Sequence, residues 1–488
     1  MNKIKEISLI AAMAALLGLG ATMPAQAQIA FRSAAQANSA IGGNGTIAFV
    51  AAGAQIAGIG ATITPVIPGG TQAGDFAVLI IGGRPPGLTE PAAPAGWTLR
   101  SSSLREVGAN DLKIMTFYRV LAGGDANPVV SLPADWQAAT AGMSAQIAVW
   151  RNVDTGNPFD VPDVTGNSAA AQNWTPPAIT TITNNAVAVS AVTSSDDNAL
   201  GFNAANGFTL RMSGAAYNTT TGGDHSIGLA TFTQATAGAV TMAQWRQTVN
   251  NDDLWAGIAF ALRPVSTLTV NVPAGTTTGD VMIASIVVRP CSSVDGGACT
   301  VTLTPPTGWI QVGTTIDQTG GGGTGGFGNR LAIYQRVVTG AEPASYTWTF
   351  SGTPLHAGAV GAISTYSGVD TASPIVVQGG QATANAYTHA TPDINTGTVT
   401  NTMLVATHAA NSAATWTPPG GMTEAADGSS LAPTNDLGIS MEVSYGPRAA
   451  AGLTGTRTAT HSNPPASDTG TTHLLALRPL PTVNHFSI

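Results

Sequence analysis

After its fifth residue the chain contains a single lysine, Lys113. Charged residues make up 9% of its 488 positions, against about 25% in an ordinary soluble domain. The formal net charge of −8 is spread thinly, and no basic stripe exists to neutralise phosphates. Nucleic acid is therefore excluded as a partner on charge pattern. Cysteine is scarce too: only Cys291 and Cys299 occur, separated by the turn-rich Ser-Ser-Val-Asp-Gly-Gly-Ala. A metal site would need further ligands at suitable spacing, so a disulfide across this one loop is the expectation. Beyond residue 27 no apolar run is long enough to span a bilayer, so no membrane span is expected in the mature chain. Amphipathic helical periods are missing as well, which removes helical bundles and α/β folds.

Signatures of chemistry are equally thin. There is no Gly-x-Ser-x-Gly elbow. The glycine-rich stretch Thr319–Gly328 lacks the Gly-Lys-Ser/Thr ending of a phosphate cradle. The histidines His225, His356, His389, His408, His461, His473 and His485 are scattered, with no His-x-x-x-His pair. Glu342, Glu424 and Glu442 have no acidic counterparts repeated in the other half. Carboxylates that converge only in three dimensions, as a glycosidase needs, stay open at this level. Asp196-Asp197-Asn198 and Asn250-Asn251-Asp252-Asp253 offer loop oxygens of the kind calcium takes. They lack alternating ligands with a closing glutamate, and solvated turns are the simpler reading. No catalytic residue, cofactor or metal site is expected.

What the chain does have is a cassette that occurs twice. Ala261-Leu262-Arg263-Pro264 answers Ala476-Leu477-Arg478-Pro479 at an offset of 215 (478 − 263). Gly74-Asp75 answers Gly279-Asp280, and Pro94-Ala95-Gly96-Trp97 answers Pro306-Thr307-Gly308-Trp309. Phe117-Tyr118-Arg119-Val120 answers Tyr334-Gln335-Arg336-Val337. Asn152-Val153-Asp154-Thr155 answers Gly368-Val369-Asp370-Thr371, and Gly207-Phe208-Thr209 answers Gly421-Met422-Thr423. Their common order, with small shifts in offset, reads as one fold copied with loop insertions.

Residues 1–27 have a basic start (Lys3, Lys5), an apolar run from Ile7 and small residues at Ala25 and Ala27. This is the pattern of a secretory signal peptide. Residues 28–40, rich in Ala, Gln and Ser, read as a loose lead-in. The continuous apolar runs Asp75–Ile81 and Asp280–Val288 fit strands buried on both faces. Leu112–Val120 and Leu331–Val338 alternate with period two, as strands with one wet face do. The expected fold class is all-β: two tandem jelly-roll-like β-sandwich domains, 28–264 and 265–479, of about eight strands each. A short junction would set them like two beads, with 480–488 as a tail or the start of a further domain. Trp97 and Trp309 are expected to plug the cores. Trp174 and Trp416, each beside Thr-Pro-Pro, are the candidates for ligand contact.

The cassette resembles a repeat of bacterial and phage surface proteins. The match lies in Pro305-Pro306-Thr307-Gly308-Trp309, Tyr366-Ser367-Gly368-Val369-Asp370, Pro418-Pro419-Gly420-Gly421-Met422-Thr423 and Ala476-Leu477-Arg478-Pro479. The first copy diverges, with Trp150-Arg151-Asn152-Val153-Asp154 at the corresponding turn. The resemblance implies extracellular jelly-roll modules serving as stalks, adhesins or carbohydrate-contacting units, without catalytic residues. The end, Val483-Asn484-His485-Phe486-Ser487-Ile488, is similar to the opening of a domain in MSHA biogenesis proteins of the MshQ type, with Asn484 in place of an aspartate. These likenesses imply a secreted or cell-surface structural or adhesive module of a Gram-negative cell, with glycan or pilus components as partners. A secreted carbohydrate-active hydrolase is the alternative.

Overall fold

The computed structural model describes residues 28–481 other than 40–44, 85–88, 106–111, 138–141, 214–222, 250–251, 291–299, 319–327, 354–357 and 434–437. The expected signal segment 1–27, both cysteines and residues 482–488 lie outside the described residues. Among those described, every regular element is a strand except the single 3-10 turn Ala134–Trp136. The chain is all-β and built of antiparallel sandwiches.

The repeating body is half as long as the cassette. Each half of the chain holds two units of one topology, so it carries about twice the strands expected. The fourth unit shows the plan in full. Its eight strands are Ile375–Ala386, Thr388–Ala390, Thr402–Ala410, Trp416–Thr417, Thr423–Ser429, Ser440–Arg448, Thr458–His461 and Asp468–Leu477. Numbered in that order, they form a large sheet 1-8-3-6-5 and a small sheet 2-7-4. This is a jelly-roll order. The second unit, from Val164–Ala171 to Asp253–Leu262, repeats both orders. The first unit repeats the large sheet, from Ala48–Ala52 to Met143–Arg151. Its small sheet is a pair, Thr62–Ile63 with Val130–Ser131.

The third strands explain how the layers stack. Phe76–Gly83, Ala186–Ser194, Val281–Val288 and Thr402–Ala410 are buried at every residue. Alternate side chains serve different layers. Phe76, Val78 and Ile80 pack on Val187, Val189 and Leu229 of the second unit's large sheet. Ala77, Leu79 and Ile81 face their own small sheet with Ile63, Trp97 and Trp136. The second half repeats this: Val281, Ile283 and Val287 share a core with Met403, Val405 and Leu475. Each half is thus four sheets deep, small–large–large–small. A strand covered on both faces has no wet side, so its sequence is continuously apolar.

The fifth strand of each unit starts from the same turn. Gly96, Gly207, Gly308 and Gly421 have φ of 77°, 84°, 85° and 79°. The next residue, Trp97, Phe208, Trp309 or Met422, returns its N–H to the carbonyl of Pro94, Ala205, Pro306 or Pro419. Left-handed backbone favours glycine because there is no Cβ to clash. Trp97 and Trp309 are 5% and 6% exposed, plugging their sandwiches as expected.

The lead-in is a correction. Residues 28–40 contain the ten-residue strand Ala30–Ser39, and it does not belong to the adjacent first unit. It pairs antiparallel with Ala359–Ser367 and is the first strand of the third unit's large sheet. That unit's own segment begins directly with its second strand, Ser266–Asn271, two residues after Pro264. The halves are therefore joined twice, through Pro264–Ser266 and through the N-terminal strand. Gly368 neighbours both described ends: Leu480 donates its N–H to Gly368 O at 3.0 Å. A Cβ on Gly368 would lie 2.7 Å from Gln28 O.

Candidate functional site

The interior of a unit lies between its large and small sheets, and the second and fourth units fill this space differently. In the second unit it is aromatic: Trp174, Trp245 and Trp255 are all buried there. Trp255 donates its indole N–H to Ser168 Oγ at 2.6 Å, and Trp245 to Ser190 Oγ at 2.9 Å. Strand register assigns the matching positions in the fourth unit. Trp174 opposite Trp245 becomes His389 opposite Ala459. Ser168 opposite Trp255 becomes Thr383 opposite Gly470. On the large sheet, Val192 opposite Gly228 becomes His408 opposite Glu442. Large apolar rings give way to imidazoles and a carboxyl.

The result is a polar chamber around Trp416. His389, His408 and His461 have ring centres 5.7, 6.3 and 5.4 Å from that of Trp416. His389 and His461 lie nearly parallel, 5.5 Å apart. His408, Glu442 and Asp427 form one row across three strands. His389 Nδ1 meets Thr383 Oγ1 at 2.6 Å, taking the role Trp255 has with Ser168. His408 Nε2 meets Arg457 O at 3.0 Å, and Trp416 N–H donates to Asp427 Oδ2 at 2.9 Å. Three histidines that look scattered along the chain are brought together because strands two, three and seven converge here.

Four atoms in this chamber have no hydrogen-bond partner among the described residues: His389 Nε2, His408 Nδ1 and both Glu442 carboxyl oxygens. All three residues are 0% exposed. Burial, then the Glu424 and Asp427 charges, push the Glu442 carboxyl up to about 9. Burial lifts Asp427 to about 6, against the Trp416 N–H and with Glu424 adding. Burial lowers His389 to about 3, with His461 and His408 adding, and His408 to about 4. At neutral pH Glu442, His389 and His408 are thus uncharged, as a low-dielectric interior favours. A protonated carboxyl beside an imidazole could exchange a proton, but general acid–base work needs a substrate within hydrogen-bond reach. Here both groups are sealed. Among the described residues no group of three or more His, Cys, Asp or Glu is placed to hold a metal ion.

The two tryptophans expected at a ligand face are interior. Trp174 is 1% exposed and lies nearly parallel to Trp255 at 6.5 Å. Trp416 is 7% exposed, its indole N–H donating to Ser440 Oγ at 3.1 Å. Their place beside Thr-Pro-Pro is the short strand of a small sheet, whose inner face is covered. Asp196 serves a turn: its carboxylate accepts from Asp197 N and Asn198 Nδ2 at 2.6 and 2.7 Å.

One accessible feature is a cleft of about 670 Å³ in the first half. It is lined by Arg100, Tyr118 and the segment 156–163 joining the first two units. The Arg100 guanidinium sits 3.9 Å above the Phe159 ring and pairs with Asp163. Burial raises the Asp163 carboxyl although Arg100 opposes the shift. Phe159 and Ile375 hold equivalent positions, opposite Leu262 and Leu477. The following strand starts at Val164 in the first half and at Ile375 itself in the second. The extra residues build this wall in the first half.

Sequence reasoning missed one repeated pair, Arg84 and Arg289, each ending a third strand. Arg84 Nη1 donates to Ser195 O and Asp224 O of the second unit at 3.0 and 3.2 Å. Arg289 Nη1 donates to Asn411 O and Gly438 O of the fourth, both at 2.8 Å. The acceptors match: one follows the third strand and one precedes the sixth. The signal was present as an Arg-Pro after each apolar run, Arg84-Pro85 and Arg289-Pro290. No protein-family model, no curated protein and no solved structure matches this chain.

Proposed function

We propose that this chain is an exported, non-catalytic structural or adhesive module of a Gram-negative cell surface, associated with pilus-type assemblies. The observation that carries the reading is what the polar residues common to both halves do. Asp75 pairs with Arg151 at 2.8 Å and Asp280 with Arg32 at 2.7 Å. Arg119 pairs with Asp125 at 2.6 Å and Arg336 with Glu342 at 2.9 Å. Arg84 and Arg289 bind backbone carbonyls of the neighbouring unit. These duplicated charged residues hold the fold together, and a site copied with its fold would instead present a shared polar constellation. The pattern of residues 1–27 supports export, and a Cys291–Cys299 bridge belongs to the same reading. Mass spectrometry of the exported chain, alkylated without reduction, tests both.

The cleft beside Phe159 favours a second reading, carbohydrate contact, because aromatic faces and charged groups line an open surface. A glycan array with the mature chain separates the two. Binding abolished by Phe159→Ala would make this a lectin module. Turnover of a polysaccharide, lost on changing one carboxylate, would overturn the non-catalytic reading.

A further inference from the structure

Among the described residues, the N-terminal strand is the one large-sheet strand remote in sequence from its own unit. Units two and four take their first strands, Val164–Ala171 and Ile375–Ala386, from the residues directly before the rest of the unit. Unit three takes Ala30–Ser39 from across the whole first half. This strand is also a seam. The Phe31 ring stacks on Tyr445 of the fourth unit at 4.1 Å and meets Tyr366 of the third edge-on at 5.8 Å. Ile29 is 3% exposed inside the core shared by both units. Arg32 reaches Asp280, which is 2% exposed. In the first half the matching Asp75 draws its arginine, Arg151, from the eighth strand of its own unit. The second half has Ser367 at the corresponding turn, so its cation arrives only with the N-terminal strand.

We infer that residues 28–39 are an exchangeable strand, and that copies of this chain associate by each placing it in the third unit of another copy. Every contact just described is indifferent to which copy supplies the strand, which is the condition for low-cost swapping. Its covalent restraint is the tether Ala40-Ile41-Gly42-Gly43-Asn44. A short tether gives an effective concentration on the order of mM, so dilute chains keep their own strand and crowded ones exchange. Exchange in which each copy gives to the next is heterologous, and unless it closes into a ring it builds a filament. The inference does not depend on the surface-module reading.

The test uses the full mature chain carrying Cys291→Ser and Cys299→Ser, with Ala34→Cys and Ser364→Cys at register partners. With the native tether and dilute protein, oxidation should join the strand to its own chain. Raising the concentration towards ~1 mM should convert a growing fraction to dimers and higher species on a non-reducing gel. Deleting Gly42 and Gly43 should make the inter-chain product dominant at low concentration. Mixing tagged and untagged copies should give mixed cross-links. An intra-chain product at every concentration, together with a monomeric deletion variant, would overturn the inference. A deletion variant that stays monomeric, with the thiol introduced in the N-terminal strand freely alkylated, would overturn it equally.

Discussion

Glu442 gives the sharpest test of the chamber. Its carboxyl is pushed from 4.5 up to about 9, first by burial. A group whose folded pKa is raised contributes stability that is complete below its unfolded pKa and lost as pH climbs to the folded one. Above the lower value the unfolded chain releases its proton and the folded chain does not, so unfolding becomes easier by about 1.4 kcal/mol per pH unit. The buried histidines act in the opposite sense. His225, His389, His408 and His473 are lowered from 6.5 to about 4, 3, 4 and 4, all chiefly by burial. Their contribution is complete above about pH 6.5 and fades below it. Stability should therefore peak near about pH 7, where the gain from the four histidines and the loss at Glu442 balance, and fall by ~1 kcal/mol by about pH 8.5, where Glu442 alone sets the slope. In urea this is a drop in midpoint of roughly 0.5 M for the transition that contains the fourth unit. Glu442→Gln keeps the shape of the neutral acid and removes the titration. The variant should match the parent near about pH 4.5, exceed it by ~3 kcal/mol at about pH 6.5 and by ~5 kcal/mol at about pH 8.5, and show no fall in midpoint above about pH 7. A parent with a flat profile over this range, or a variant that falls in parallel, would refute the assignment of a neutral buried Glu442.

Other perturbations are simpler. Arg289→Ala leaves the carbonyls of Asn411 and Gly438 without their buried donor and should lower unfolding stability by ~3 kcal/mol, read by denaturant titration. Arg84→Ala, at a more open site, should lose less. Gly308→Ala places a Cβ at φ 85° against the Arg336 guanidinium. It should cost about 1–2 kcal/mol by thermal melting, and Gly421→Ala, with open space around its Cβ, should cost less. Phe31→Ala should destabilise the second half by ~3 kcal/mol while leaving the first half's unfolding unchanged, as separate calorimetric transitions would report.

The all-β class and two of the four buried third strands, Phe76–Gly83 and Val281–Val288, were legible because continuous apolar runs bounded by Gly and Pro have few other solutions. The twofold cassette was legible from Ala-Leu-Arg-Pro and Pro-x-Gly-Trp. The true fourfold period was hidden, since neighbouring units share a backbone turn and not a motif. Gly96, Gly207, Gly308 and Gly421 mark it, but the residues that follow are Trp, Phe, Trp and Met. The strand Ala30–Ser39 was illegible because an edge strand of Ala, Ser, Gln and Asn has no alternating pattern. Its partner lies more than 300 residues away, and no local signal announces that pairing. The chamber escaped for a similar reason: His389, His408 and Glu442 meet through register across strands. Trp174 and Trp416 misled because Thr-Pro-Pro marks a strand end without saying which face of the strand is covered.

The N-terminal strand completes the second half of the molecule. Hydrogen–deuterium exchange on a mature chain lacking residues 28–39 tests this most directly. Protection should collapse in Ala359–Ser367 and weaken through Val281–Val288 and Ser440–Arg448, with Phe76–Gly83 and Ala186–Ser194 unchanged. Undiminished protection in Ala359–Ser367, or a loss centred on the first half, would contradict it.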